Sequence, residues 1–271
     1  MKDSESVAAA ACDFERSYEQ ARLPAVRELE RRVLGSDYGG TSWTTRTQAE
    51  QIAAILDLGP GVQLLDVGAG SGWPALFLAN STGCNVMLVD LPFNALRMAT
   101  ERATMDGISH RCRAVAASGA ALPFNNDSFD ALSHSDVLCC TPEKLPMLRE
   151  CRRVLRAGGK MLYSVIAPAP SLSESDYKDA IEAGPPFVEV PGDYASLLKE
   201  SDWTVLELID VTAEYAASLR ILVKNMAAMA DAISAAIGMD EFLEQKQRRE
   251  TQVAALDRGL LVREIYISQA G

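Results

Sequence analysis

Glycines at 68, 70 and 72 follow directly on the apolar run of residues 64–67, which has Asp66 inside it. Glycine lets a backbone take positive φ and approach a ligand closely, and N–H groups at the start of the next helix face whatever sits over the turn. Such a turn suits a nucleotide-like cofactor, and its spacing narrows the choice. A dinucleotide fingerprint runs G-x-G-x-x-G, whereas Trp73 stands where the third glycine is needed. The lysine of a triphosphate-binding loop is missing as well. A cofactor without a pyrophosphate fits better. Asp90 ends the next apolar run, and a carboxylate there can accept hydrogen bonds from both hydroxyls of a ribose. His134, Ser135 and Asp136 end a later one, followed by Cys139 and Cys140.

These groups need strands to present them. Residues 63–67, 85–90, 113–117, 129–134 and 159–165 read as strands, with helices at 74–81, 94–105 and 145–155. That alternation implies a parallel, doubly wound sheet with its ligands at the carboxyl ends of the strands. Residues 204–211 and 260–267 add two more strands. The interval between them is too long for a hairpin turn and carries Tyr215, Leu219, Leu222, Met226, Met229, Ile233 and Ile237 at helical spacing. Residues 212–258 are therefore expected as an inserted cap beside the ligand crevice. Its stripe should serve mainly as core while lending the crevice apolar surface. Residues 11–34 have near-helical apolar spacing interrupted by Pro24, which suits one helix or two. A polar stretch with Tyr38 and Trp43 then leads into a helix through Ile52, Ile55 and Leu56. Residues 1–60 thus read as an N-terminal helical cover, and 61–271 as the sheet domain that contains the cap.

The chain has 271 residues, 48% of them hydrophobic, and a net charge of −11. That is enough for one large α/β domain, and the acidic balance disfavours nucleic acid as a partner. The arginines at 149, 152, 153 and 156 read as a solvated helix surface. Six cysteines form no C-x-x-C pair, and no histidine lies at zinc-ligand spacing, so no metal site is expected. Neither a signal-peptide core nor a membrane-length apolar run is visible. A soluble, reduced, cytoplasmic protein is the expectation, with its oligomeric state open.

Residues 64–72 resemble motif I of the class I S-adenosylmethionine-dependent methyltransferases. Ala121-Leu122-Pro123-Phe124 with Asp127-Ser128-Phe129-Asp130 resembles their LPF…D-x-SFD segment. Glu150 through Arg153-Val154-Leu155-Arg156-Ala157-Gly158-Gly159 resembles their E-x-x-RVLKPGG segment. The resemblance implies a Rossmann-like, mostly parallel seven-stranded sheet with an antiparallel last strand. It also implies S-adenosyl-L-methionine as cofactor and S-adenosyl-L-homocysteine as product. Asp66, Gly68, Gly70 and Ser71 then surround the methionine portion, Asp90 holds the ribose and Leu91 lies beside the adenine. Ser118, Gly119 and Ala120 stand where the family has an Asp-Ala pair, and Ser135 lies near the methionine end. The stretch from His134 to Cys140 is similar to a segment of the sarcosine/dimethylglycine and phosphoethanolamine methyltransferases. Asp136 matches their acid, and Cys140 stands on their histidine. Residues 39–45 resemble their cofactor cover, which makes Tyr38 and Trp43 candidates to close over the sulfonium. Asp136, Tyr38 and His134 are the catalytic candidates, although His134 also suits a buried place in its strand.

Methyl transfer from a sulfonium is an in-line displacement that needs alignment and exclusion of water. A base matters only where the acceptor must lose a proton. The expected reaction is transfer to an O or N atom of a small organic metabolite. One alternative is transfer to carbon of a quinone-like or polyketide-like substrate, since ubiquinone/menaquinone methyltransferases share these segments. Another is a non-catalytic S-adenosylmethionine-binding domain. Trp73 disfavours a nicotinamide oxidoreductase. Residues 167–191 hold one cation, Lys178, so a neutral or amine-bearing acceptor is expected over a phosphorylated one.

Overall fold

The structure, a computed structural model, describes residues 4–271, with side chains from Cys12 onward. Two helices lead, α1 (Ser4–Gln20) and α2 (Pro24–Leu34). Pro24 takes the first helical position of α2, where its missing N–H would have had no partner, so the apolar pattern splits in two. Helix α3 (Arg46–Ile55) starts on a capping box between Thr45 and Gln48.

The alternation then runs as its periodicity suggests, within a few residues at each boundary. It comprises β1 (Gln63–Val67), α4 (Ala75–Thr82), β2 (Asn85–Asp90), α5 (Phe93–Met105), β3 (Cys112–Ala116) and β4 (Phe129–Ser135). Next come α6 (Lys144–Val154), β5 (Leu155–Pro168), α7 (Glu174–Ala183), α8 (Tyr194–Glu200) and β6 (Trp203–Asp210). The cap helices α9 (Thr212–Ala228), α10 (Ala230–Ile237) and α11 (Met239–Asp257) precede the closing strand β7 (Leu261–Ala270).

The seven strands form one sheet in the order β3-β2-β1-β4-β5-β7-β6. β1 pairs in parallel with β2 and β4, and β7 runs antiparallel to both its neighbours, β5 and β6. Strand order therefore reverses between β1 and β4, the crevice in which open α/β sheets bind ligands. Register puts Val67 beside Val89 and Asp66 beside Ser133, so the glycine turn, Asp90 and Ser135 emerge side by side. Alternate strand residues feed two cores: Leu65, Val67, Leu132 and Tyr163 on one face, Leu64, Leu88, Ala131 and Leu162 on the other.

The cap corrects one expectation. Met226 and Ile233 pack with Leu29 of α2 and Phe242 of α11, while Tyr215 and Leu219 join the sheet core. The stripe is spent on packing and lends the crevice no surface. Of the arginine cluster, Arg149 pairs with Glu200, Arg153 with Glu150 and Arg156 with Asp130. Among the described residues no helix is long and apolar enough to cross a membrane.

Candidate active site

Where β1, β2 and β4 end, a cavity of about 350 Å³ opens. Its sheet wall is Val67, Gly68, Asp90, Leu91, Ser118, Gly119, Ala120 and Ser135. The facing wall combines Asp13, Phe14, Ser17 and Tyr18 of α1, Thr41 and Trp43 of the cover, and Arg248, Arg249 and Gln252 of α11. Cys139 and Cys140 line the cavity as well.

The glycine turn leaves no room for side chains. Gly68 and Gly70 take φ of 70° and 53°, the left-handed region that favours glycine. A Cβ on Gly68 would strike Val137, and one on Gly70 would strike the Tyr18 hydroxyl. The Gly70 N–H donates to Asp90 Oδ2 (2.6 Å) and the Leu91 N–H to Asp90 Oδ1 (2.7 Å). Two such bonds leave the carboxylate lone pairs to spare, and among the described residues it has no ion-pair partner. Burial pushes its pKa up to about 6, against the pull of the two N–H groups. Asp66 is 2% exposed and accepts from Ser133 Oγ (2.6 Å); burial pushes it up to about 7. Asp66, Gly70 and Ser71 do not line the cavity. Tyr18 stands over Gly70, and Ser71 Oγ is buried without a hydrogen bond among the described residues.

Asp136 lines the cavity but carries no free acceptor. Its Oδ1 takes Arg263 Nε (2.9 Å) and Ser164 Oγ (3.0 Å). Its Oδ2 takes the Trp43 N–H (2.9 Å), Arg263 Nη2 (3.1 Å) and Ser42 Oγ (3.4 Å). Burial alone would raise this carboxyl, yet Arg263 beside it and the added hydrogen bonds hold it below its ordinary value. A carboxylate with all its acceptor sites filled has none left for a ligand, although Asp136 was a catalytic candidate. Asp136 instead ties the cover to β5 and β7, from a backbone position with φ 58°.

Two further catalytic candidates fall outside the cavity. The Tyr38 hydroxyl donates to Asp106 Oδ2 (3.2 Å), and its ring lies under Arg102 (3.9 Å) and against Trp73 (5.2 Å). His134 is fully buried, stacked on Tyr163 at 4.5 Å, with neither ring nitrogen hydrogen-bonded among the described residues. Burial pushes its pKa down to about 3, so it stays neutral. The aromatic that does meet the turn is Tyr18. Its hydroxyl stands over Gly70 and shares a hydrogen bond with Thr41 Oγ1 (3.2 Å). Tyr18, Arg263 and Arg249 were all missed by sequence reasoning. Arg263 alone leaves a trace, as a charge on the strand face it shares with Leu261, Ile265 and Ile267, which calls for a buried acid. Among the described residues no cluster of His, Cys, Asp or Glu could hold a metal.

These features sit on a sequence with known relatives. The methyltransferase-domain family matches residues 65–163. Methyltransferase GfsG of Streptomyces halstedii is 31% identical over 171 residues, which span 61% of this chain and 61% of that relative. Haemonchus contortus phosphoethanolamine N-methyltransferase 2, solved with phosphomonomethylethanolamine and S-adenosylhomocysteine, superposes with a TM-score of 0.76 at 17% identity. That superposition covers 94% of this chain and 60% of the other. The [4+2]-cyclase SpnF superposes with a TM-score of 0.70 at 19% identity, over 94% of this chain and 96% of its own, so the fold alone does not select the reaction. Motif order, strand order and the domain match agree on residues 65–163 as a methyltransferase domain.

Proposed function

We propose that this chain transfers a methyl group from S-adenosylmethionine to an O or N atom of a small organic metabolite. One observation carries the reading. The cavity sets the glycine turn and an Asp90 with unused lone pairs on one wall, and Tyr18 and Trp43 on the other. S-adenosylmethionine, when bound, supplies a methyl group on a sulfonium that a nucleophile can displace.

The residues of the chain bind, align and exclude water. Asp90 offers its lone pairs to the ribose hydroxyls, and Leu91 with Ser118, Gly119 and Ala120 offers apolar and backbone surface to the adenine. Gly68 and Ser135 leave room for the methionine portion, with Asp66, Gly70 and Ser71 supporting the turn. Aromatic faces at Tyr18 and Trp43 favour a cation between the walls. Residues 1–60 act as the cover and 212–258 as the cap, which together keep water from the displacement. Because Asp136 is saturated and His134 sealed away, the site suits an acceptor whose nucleophilic atom needs no strong base. The acidic chain, with Arg149, Arg153 and Arg156 paired to carboxylates, supports a small acceptor over a nucleic acid.

Calorimetric titration tests the cofactor half: the protein binds S-adenosylhomocysteine, and Asp90→Ala loses most of that affinity. Methyl-donor consumption across amine, phenol and quinone panels tests the acceptor half. A wild-type protein that binds no S-adenosylhomocysteine would sink the reading, and turnover on the quinone alone would move the methyl to carbon.

A further inference from the structure

The cap wall holds a cation for which the displacement has no use. Arg249 of α11 lines the cavity beside Trp43 and Gln252. Its Nη1 donates to Gln252 Oε1 (2.8 Å), a neutral acceptor on a buried side chain, and its guanidinium lies 5.3 Å from the Trp43 ring. Arg263 pairs with Asp136, and Arg102 with Asp37 and Asp106. Arg249 has no carboxylate partner among the described residues. In a chain with 37 acidic against 26 basic residues, a half-buried arginine without a carboxylate costs stability and returns none. Burial pushes its pKa down, to about 10. The neighbouring phenol of Tyr215, whose ring meets Trp43 at 5.2 Å, is buried without a hydrogen bond among the described residues.

We infer that Arg249 receives an anionic group, carboxylate or phosphate, on the methyl acceptor, its guanidinium held in place by Gln252 and Trp43. The inference rests on the function proposed above, which defines what an acceptor is. A guanidinium presents five N–H donors in a planar fork. With one spent on Gln252, a pair remains to engage an anion bidentately. The expectation of a neutral or amine-bearing acceptor drew on residues 167–191, but the cavity takes its cations from α11. The cofactor itself carries a carboxylate. Arg249 is assigned to the acceptor because it stands on the cap wall, whereas Gly68, Asp90 and Ser118 to Ala120 stand on the sheet wall. An acceptor anchored by its anion at α11 turns its far end, with the nucleophilic atom, toward the sheet.

The test uses wild type, Arg249→Gln and Arg249→Lys. Each is titrated with S-adenosylhomocysteine, then, saturated with it, with benzoate, phenyl phosphate and the neutral benzamide. S-adenosylhomocysteine affinity should agree within twofold across the three proteins. Wild type should bind at least one of the anions tenfold or more tighter than benzamide, Arg249→Gln should lose that preference, and Arg249→Lys should keep part of it. A wild type that does not discriminate, or a preference that survives Arg249→Gln, overturns the inference. So does a matching loss of S-adenosylhomocysteine affinity in Arg249→Gln, which would assign the arginine to the cofactor's own carboxylate. Failure of wild type to bind S-adenosylhomocysteine at all strikes the underlying function instead, and an Arg249-dependent anion preference in the cofactor-free protein separates the two cases.

Discussion

Asp90, half-buried, and Asp136, buried, are carboxylates at strand ends on the rim of one cavity, and they differ in whether a cation faces them. Asp90 accepts two backbone N–H groups and has no ion-pair partner among the described residues. Burial dominates, and its pKa rises to about 6. Asp136 meets Arg263 through two nitrogens, with Ser164, Ser42 and the Trp43 N–H filling its remaining acceptor sites, and its pKa falls. The first is an acceptor with capacity left for a ligand. The second is a clamp that fixes where the cover, and with it Trp43, meets the sheet. Proximity to a cavity does not make a buried acid reactive; the unfilled share of its hydrogen-bonding capacity does.

The strongest way to break this comparison is Asp136→Ala, which leaves Arg263 buried and unpaired. A loss of about 3–5 kcal/mol in unfolding free energy is expected from chemical denaturation. Asp136→Leu with Arg263→Met should recover most of the stability yet not the turnover, since the Trp43 N–H stays without its acceptor. A single variant as stable as wild type would show that no clamp exists.

Asp90→Ala comes next and should spare stability while striking binding. Hydrogen bonds to a charged group contribute about 1.5–3 kcal/mol each, so losing a ribose pair weakens S-adenosylhomocysteine by about 3–6 kcal/mol. The same carboxylate sets a pH dependence. Its ionised form is the better acceptor, so affinity should hold above pH 6 and fall as pH drops through about 6, by about tenfold per unit. Asp90→Asn should flatten that profile, and an unchanged slope would detach the ribose from Asp90.

His134 gives an acid-side signature of its own, in stability rather than in binding. Its folded pKa of about 3 lies below the ordinary 6.5, so the unfolded chain binds the extra proton. The stability contributed by the neutral form is complete above pH 6.5 and is lost as pH falls toward 3, by about 1.4 kcal/mol per unit. His134→Phe should remove that acid-sensitive component from urea midpoints. Turnover should stay within about twofold of wild type in His134→Phe and in Tyr38→Phe, because neither side chain lines the cavity. A larger loss in either would restore it as a catalytic candidate.

The sheet and its motif-bearing turns were legible because their determinants are local. Apolar runs bounded by glycine, an acid at the end of β2 and Pro24 at the head of α2 each act within a few residues. The wall facing them was legible only in part. Trp43 lines the cavity, whereas Tyr38, five residues earlier, turns to Arg102 and Trp73. Tyr18 takes the place above Gly70, although nothing in the spacing of α1 marks that residue. Arg249 hides in the charged run of α11, where an exposed arginine and a cavity arginine have the same sequence context.

By itself, then, the sequence determined the strand order's raw material, the glycine turn and the carboxylate beside it, because backbone conformation answers to near neighbours. Which buried acid is matched by a distant arginine, which tyrosine meets the turn and which cap residues face the cavity were decided only by tertiary structure. Those outcomes depend on side chains far apart in the chain, Asp136 with Arg263 and Tyr18 with Gly70, whose meeting is a consequence of packing the helices onto the finished sheet.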